Sequence, residues 1–71
     1  MPQASDELRS KMQTYFGDEI DDGGPMRFLE EHGYVIQRTG VISCPVGREI
    51  TDKEWDCICF LCDEWDYGYN G

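Results

Sequence analysis

The chain has 71 residues and a formal net charge of −9 at pH 7, from 15 acidic and 6 basic side chains. A chain of this length buries only about 60% of the surface that its unfolded form exposes, so we expect one domain with one modest core. The sequence has no apolar run near the ~20 residues of a membrane span, and its N-terminus lacks the pattern of a secretory signal. We therefore expect no membrane contact, a cytoplasmic location and reduced cysteines.

The negative charge is concentrated towards the C-terminus. Residues 1–48 carry 8 acidic and 5 basic side chains, a net charge of −3, whereas residues 49–71 carry 7 acidic and 1 basic, a net charge of −6. Such a surface repels the phosphates of nucleic acids and of anionic membranes, which argues against direct binding to either. Its natural counterpart is a larger protein with a basic surface.

Residues 5–17 carry the signals of a first helix. Ser5 suits the N-cap position, and the two acids that follow suit the first turn, where the helix dipole favours negative charge. Gly17 is a suitable stop. One apolar face follows from the spacing i, i+4, i+7 and i+8 of Leu8, Met12, Tyr15 and Phe16.

The acidic segment GDEIDDGG, residues 17–24, predicts a flexible loop because it is rich in glycine and aspartate. Pro25 then suits the first turn of a short second helix, PMRFLEEHG, in which Phe28 and Leu29 face inward. Gly33 suits the left-handed position that commonly ends a helix.

The segment YVIQRTGVISC predicts a β-hairpin. Its strands would be residues 34–38 and 41–44, rich in Val and Ile and joined by a tight turn at Thr39 and Gly40. A third short strand is plausible near residues 48–50, and residues 67–71 should fray. The order helix, helix, strand, strand, helix predicts an α+β fold in which the hairpin packs on the helices, because an isolated hairpin is only marginally stable.

The third helix is the most informative element. The segment TDKE, residues 51–54, is a capping box with Thr51 as N-cap, and the helix should run to about Asp66. At about 100° per residue, one broad apolar face and an adjacent acidic stripe emerge. The apolar face contains Trp55, Ile58, Cys59, Leu61, Cys62 and Trp65, and the stripe contains Asp52, Asp56 and Asp63.

On this wheel Phe60 stands opposite the apolar face, flanked by Asp56 and Asp63. We interpret it as a hydrophobic anchor inside an acidic rim, because binding energy in interfaces often concentrates in a central aromatic residue. The alternative is an accidental surface residue or one that packs under the hairpin.

The cysteines raise the question of a metal site. Cys59 and Cys62 are spaced i, i+3 and, with Cys44 and His32, would complete a Cys₃His zinc set. However, Cys57 points about 160° away from Cys59 on a helix. Reduced cysteine otherwise behaves as a small buried hydrophobe. We expect no metal and no other cofactor, and keep a small zinc-binding or thiol structural module as an alternative.

Catalysis is disfavoured by the residues present. A nucleophilic cysteine needs a nearby base and a lowered pKa. The one histidine, His32, falls at the end of a short helix, where it is more suitable as a dipole partner. The surrounding acids would raise a thiol pKa, and no phosphate-binding loop is present. We expect no catalytic residues and no enzyme activity.

The segment LEEHGYVIQRTG, residues 29–40, resembles the helix-to-strand step of HicA-type toxin ribonucleases. The resemblance implies a fold like that of double-stranded-RNA-binding domains. The histidine expected shortly after the glycine in that family is missing, because residues 41–43 are Val, Ile and Ser, so no catalytic residue is carried over. The basic residues available for RNA contact are Arg27, Arg38, Arg48 and Lys53.

These patterns favour a small interaction protein from a virus or mobile element, acting in the host cytoplasm as a monomer or homodimer. Its most concrete form is an inhibitor that mimics nucleic acid in a basic groove of a larger protein, as an anti-CRISPR does. The predicted partner-binding residues are Asp52, Asp56, Phe60, Asp63, Glu64, Asp66 and Tyr67. A further alternative is a domain that homodimerises through Phe60 and the aromatic residues of the tail.

Overall fold

The computed structural model describes residues 5–45, 47 and 49–70. Over these residues the element order is α, α, β, β, α, β, which confirms the predicted α+β fold and adds a strand after the last helix. The helices are α1 (Asp6–Phe16), α2 (Gly24–Glu31) and α3 (Asp52–Trp65), and the strands are β1 (Val35–Ile36), β2 (Val41–Ser43) and β3 (Gly68–Asn70).

Helix α1 has the predicted ends, but the segment after it is more ordered than a loop. The Ser5 side chain accepts a hydrogen bond of 3.2 Å from the Leu8 N–H, and Gly17 follows the helix with φ of 59°. Residues Gly17–Ile20 then form a 3₁₀ turn, and Gly24 is already the first residue of α2. The single apolar residue of this turn, Ile20, is buried and holds the segment against the core.

Gly33 ends helix α2 in the left-handed conformation, as predicted, and the end is a Schellman motif. Gly33 has φ of 90°, its N–H donates to the Glu30 carbonyl at 3.1 Å, and the Tyr34 N–H donates to the Leu29 carbonyl at 3.0 Å. These two hydrogen bonds satisfy carbonyls that the helix end would leave unpaired. The chain therefore turns sharply into β1, and Tyr34 enters the core.

The hairpin is confirmed, with shorter strands than predicted. Strands β1 and β2 are antiparallel, with Ile36 opposite Ile42. The Gln37 N–H donates to the Val41 carbonyl and the Gly40 N–H to the Gln37 carbonyl, both at 2.9 Å. Gly40 has φ of 91°, so the connection is a three-residue loop with glycine at its left-handed position. The loop includes Arg38, which we assigned to the first strand.

The tail that we expected to fray forms β3 instead. It pairs in parallel with β2, with Tyr69 opposite Ile42, and the Gly68 N–H donates to the Gly40 carbonyl at 2.7 Å. Parallel strands need a crossover connection, and α3 provides it. The strand predicted near residues 48–50 is not seen at positions 49 and 50, and Arg48 lies outside the described residues.

The core lies where α3 packs against α1 and α2, with the sheet at one end. Every described element except β1 and β3 contributes to it. Its buried hydrophobic side chains are Met12, Ile20, Leu29, Tyr34, Ile42, Cys57, Ile58, Phe60 and Leu61. Within the part of the chain that the structure describes, we find no helix with both the length and the apolar character of a membrane span.

Candidate protein-binding surface

Helix α3 is rotated by roughly a quarter turn from its predicted orientation. Phe60, predicted to face solvent, has 0% of its surface exposed, while Trp55 and Trp65, predicted to be in the core, are 47% and 49% exposed. The prediction that Phe60 contacts a partner, or mediates a homodimer, is therefore wrong. The inner face of α3 consists of Glu54, Cys57, Ile58, Phe60 and Leu61.

Glu54 helps to fix this orientation because its carboxylate is satisfied inside the protein. It accepts a hydrogen bond of 2.9 Å from the Thr51 N–H, while the Thr51 hydroxyl accepts one of 3.2 Å from the Glu54 N–H. The predicted capping box is thus confirmed. The Tyr34 hydroxyl also approaches the carboxylate, at 3.4 Å. Burial, a hydrogen bond with Cys44 and the charge of Glu54 raise the pKa of Tyr34, so its hydroxyl remains a donor.

Lys53 also points away from the acidic stripe. Its Nζ lies over three aromatic rings, 5.1 Å from the centroid of Tyr15, 5.4 Å from that of Phe16 and 4.6 Å from that of Phe28. Such cation–π contacts are favourable when the ammonium is partly desolvated. Lys53, the one basic residue of positions 49–71, is thus held against rings of α1 and α2. The side of α3 opposite its inner face carries the aspartates of the stripe.

That opposite side, the outer face of α3, combines carboxylates with an exposed aromatic residue. Asp63 and Asp52 are exposed, and Asp56 is half-buried and accepts a hydrogen bond of 3.2 Å from the Tyr15 hydroxyl. Trp55 packs edge-to-face on Tyr69 of β3, with centroids 5.6 Å apart. The outer face consists of Asp52, Trp55, Asp56, Cys59, Cys62 and Asp63.

Trp55 therefore occupies the position that the sequence led us to give Phe60. The helical wheel counted tryptophan as a core residue, although its size makes it rarely fully buried. The signal that was available is that α3 is apolar on more than one side, since Cys57, Phe60 and Leu61 form a second apolar stripe. A wheel alone cannot choose between two such stripes.

The remaining predicted partner residues lie at the C-terminal end of α3. Glu64 forms an ion pair with Arg9 of α1, so it is engaged within the chain. Asp66 is exposed and ends the helix with φ of 60°, and the Tyr67 N–H donates to the Leu61 carbonyl at 3.2 Å. Tyr67 is half-buried in a groove beside Trp65. The structure thus separates these residues from the stripe of Asp52, Asp56 and Asp63.

The three cysteine thiols of α3 are poor nucleophiles. Burial raises the pKa of Cys57 to about 12, and nearby Asp56 and Glu54 add to the increase. Burial also raises the pKa of Cys59, followed by the charges of Asp63 and Asp56, and the pKa of Cys62 is raised by burial first. Protonated thiols of this kind do not attack electrophiles readily.

The zinc set that we kept as an alternative is not assembled. Cys59 and Cys62 lie together on the outer face of α3, but Cys44 follows β2, with its Sγ 3.5 Å from the Pro45 carbonyl. The Nδ1 of His32 is 2.7 Å from the Phe28 carbonyl of its own helix. Across residues 5–45, 47 and 49–70, no three His, Cys, Asp or Glu side chains form a group that could hold a metal ion. The expectation of buried cysteines holds for Cys57, whereas the other three are half-buried.

Comparison with protein families supplies the biological setting. A family model described as "Phage Pam3 gp59 related protein" matches residues 1–71, the whole chain. The chain belongs to this family. Membership in the phage Pam3 gp59-related family indicates a phage protein, in agreement with the viral origin predicted from the sequence. No curated protein and no solved structure matches the chain.

Proposed function

We propose that this phage protein is a small, non-enzymatic inhibitor that binds a basic, nucleic-acid-binding surface of a host protein. The binding surface is the outer face of α3. One observation carries the proposal: the carboxylates of Asp52 and Asp63 and the exposed ring of Trp55 share this face, while the basic Lys53 is held against aromatic rings elsewhere.

The charge on this face resembles that of a nucleic acid in sign but is less dense. At 1.5 Å per residue, Asp52, Asp56 and Asp63 span about 17 Å of helix axis. One strand of B-DNA presents about five phosphates over the same length. Carboxylates alone would therefore bind a basic groove more weakly than its natural ligand does. Trp55 would supply additional binding free energy, because an aromatic residue that becomes buried contributes much of the affinity of protein interfaces.

In its narrowest form the proposal makes the protein an anti-CRISPR, whose target is a host defence nuclease with a basic channel for nucleic acid. Membership in a phage family supports this form, because a phage benefits when host defence is blocked. A host transcription protein with a similar basic surface is the broader target class. Both targets would lie in the host cytoplasm and would meet the same acidic face.

The test compares two charge-reversal variants of equal net charge. Asp52→Lys with Asp63→Lys reverses the outer face, and Glu30→Lys with Glu31→Lys reverses two exposed acids at the end of α2. Each pair changes the net charge from −9 to −5, since two acids become two bases. Tagged protein would capture partners from lysate of the phage's host at ~0.1 M and ~1 M salt, where the Debye length falls from about 10 to about 3 Å.

We expect wild type and the Glu30/Glu31 variant to capture the same nucleic-acid-binding protein at low salt and to lose it at high salt. The Asp52/Asp63 variant should capture little at either salt concentration. Equal loss in both variants would show that net charge, and not the outer face, determines binding, and capture that survives high salt would contradict the electrostatic basis of the proposal. Circular dichroism of both variants checks that they are folded.

A further inference from the structure

A groove lies between the start of α2 and the end of α3, apart from the outer face. It has a volume of about 130 Å³ and is predominantly apolar. Trp65, at its edge, has 49% of its surface exposed. The groove is lined by Ile20, Asp21, Gly23, Pro25, Met26, Leu61, Trp65 and Tyr67.

Two left-handed residues give the groove its shape. Gly23 has φ of 79° and turns the chain from Asp21 into α2. Asp66 has φ of 60° and is the one non-glycine residue with positive φ among those that the structure describes. Aspartate tolerates this conformation better than most residues. The turn at Asp66 places Trp65 and Tyr67, its two sequence neighbours, on the same groove.

The charge around the groove is negative. Asp21 lines it, and Asp22 and Asp66, next in sequence to lining residues, are exposed. No Lys or Arg is among the lining residues that the described part of the chain provides. A matching ligand therefore carries a positive charge on an apolar stem.

We propose that this groove receives an arginine side chain from the basic partner. Its methylene groups would lie on the floor formed by Pro25 and Met26, as long basic side chains do on apolar surfaces. The planar guanidinium would stack on Trp65 and pair with the Asp21 carboxylate in a bidentate contact. Lysine suits the site less well, because its ammonium is strongly hydrated and cannot form the planar fork.

The same chain already places a cation on aromatic rings, since Lys53 lies over Tyr15, Phe16 and Phe28. The inference rests on the proposed function for the basic nature of the partner, and it adds the residue type that the partner presents. Because the groove and the outer face are different surfaces, the groove can be tested with small probes, separately from capture by the wild-type protein.

The test needs no partner protein. In a Trp55→Phe variant, Trp65 is the one remaining tryptophan, so its fluorescence reports on the groove. The probes are N-acetyl-arginine amide and N-acetyl-citrulline amide, which has a similar shape but no charge. We expect a saturable change in Trp65 fluorescence with the arginine probe and a much weaker response to citrulline.

Two aspartate variants locate the contact. Asp21→Asn should weaken binding of the arginine probe roughly tenfold, because a charge-assisted hydrogen bond is lost. Asp18→Asn removes the same charge three residues away, in the 3₁₀ turn, yet Asp18 does not line the groove, so binding should change less than about twofold. Equal responses to the two probes, or equal effects of the two substitutions, would overturn the proposal.

Light scattering of the same samples tests whether a second copy of the chain occupies the groove instead. A dimer whose dissociation exposes Trp65 would show that a second copy of the chain fills the groove, and it would overturn the arginine assignment.

The failure of this inference can be told from the failure of the proposed function. Arginine binding without capture of a host protein would support the assignment of the groove and leave the proposed function unsupported. If capture of a host protein depends on Asp52 and Asp63 but the groove does not respond to the arginine probe, the proposed function is supported and the arginine assignment is overturned.

Discussion

The two faces of α3 both carry large apolar side chains, yet only one face is buried. The inner face carries Phe60, Leu61 and Ile58, each at most 3% exposed, whereas the outer face carries Trp55, which is 47% exposed. They differ in their polar residues. The inner face has Glu54, whose carboxylate is satisfied by the capping box, and the outer face has aspartates that remain at the surface.

This difference teaches that the hydrophobicity of a face does not by itself decide its burial. A buried carboxylate is tolerated where backbone and hydroxyl groups donate to it. Among the residues that the structure describes, the hydrogen bond from the Tyr15 hydroxyl to Asp56 is the one side-chain hydrogen bond to the three aspartates of the outer face. Asp52 and Asp63 therefore remain at the surface, whereas Glu54 is enclosed by the fold.

The largest expected effect is that of truncating Phe60. Phe60→Ala should destabilise the protein by about 3–5 kcal/mol, the usual cost of removing a buried phenylalanine. A 71-residue domain has roughly 4–11 kcal/mol of stability in total, so most of it would be lost. Trp55→Ala, the matched change on the outer face, should cost only about 1 kcal/mol. Urea unfolding measures both, and equal costs would contradict the assignment of the two faces.

Two acids, one on each face, give the next comparison. Glu54→Ala should cost about 2 kcal/mol, because the Thr51 N–H and the Tyr34 hydroxyl lose a buried acceptor. Asp63→Ala, at an exposed position, should change stability by less than about 0.5 kcal/mol. The same urea experiment applies. If Glu54→Ala left the free energy of unfolding unchanged, the capping box would not be what holds α3 in its observed orientation.

A smaller effect is expected where β3 covers the outer face. Tyr69→Ala removes the ring that packs on Trp55 and should cost about 1 kcal/mol. Asn70→Ala, in the same strand and exposed, is the control and should be nearly neutral. In a Trp65→Phe background the emission of Trp55 should shift to the red only in the Tyr69 variant. An unchanged spectrum would indicate that the tail frays, as the sequence alone had suggested.

The smallest effect is chemical and concerns the cysteines. Iodoacetamide at about pH 8 should label Cys59 and Cys62 slowly, because their pKa values are raised, and should leave Cys57 unlabelled in the folded protein. Mass spectrometry shows the order in which the thiols are labelled. Labelling of Cys57 before Cys59 and Cys62 would contradict its assignment to the buried inner face.

The same thiol predicts a pH dependence of stability. The pKa of Cys57 is raised from 9.0 to about 12 on folding, so the folded state binds its proton more tightly than the unfolded state does. This contribution is present below pH 9 and is lost as pH rises from 9 towards 12. Urea midpoints of wild type should fall over this range, and those of Cys57→Ala should fall less steeply.

Local signals in the sequence predicted much of the fold. The hydrogen bonds of the Ser5 cap, the turn at Gly33 and the capping box at Thr51 all join residues at most five positions apart, so they can be predicted from a short stretch of sequence. The α+β order follows from these elements. Strand β3 could not be seen, since residues 68–70 are Gly, Tyr and Asn, and they pair only because β2 offers an open edge.

The orientation of α3 could not be predicted from the sequence, because it too depends on contacts between distant residues. A helical wheel gives the angles between residues but not which side meets the rest of the protein. That choice depends on contacts over long sequence separations, such as Tyr34 with Glu54 and Tyr15 with Lys53. The acidic stripe was identified correctly as a set, whereas its aromatic centre was assigned to Phe60 and not to Trp55.

Displacement of nucleic acid from the captured host protein tests the central claim most directly. Fluorescence anisotropy would follow a labelled oligonucleotide bound to that protein as wild type, the Asp52/Asp63 variant or the Glu30/Glu31 variant is added. We predict that wild type and the Glu30/Glu31 variant release the oligonucleotide and that the Asp52/Asp63 variant does not. Simultaneous binding of oligonucleotide and wild type, or release by all three proteins alike, would contradict the account.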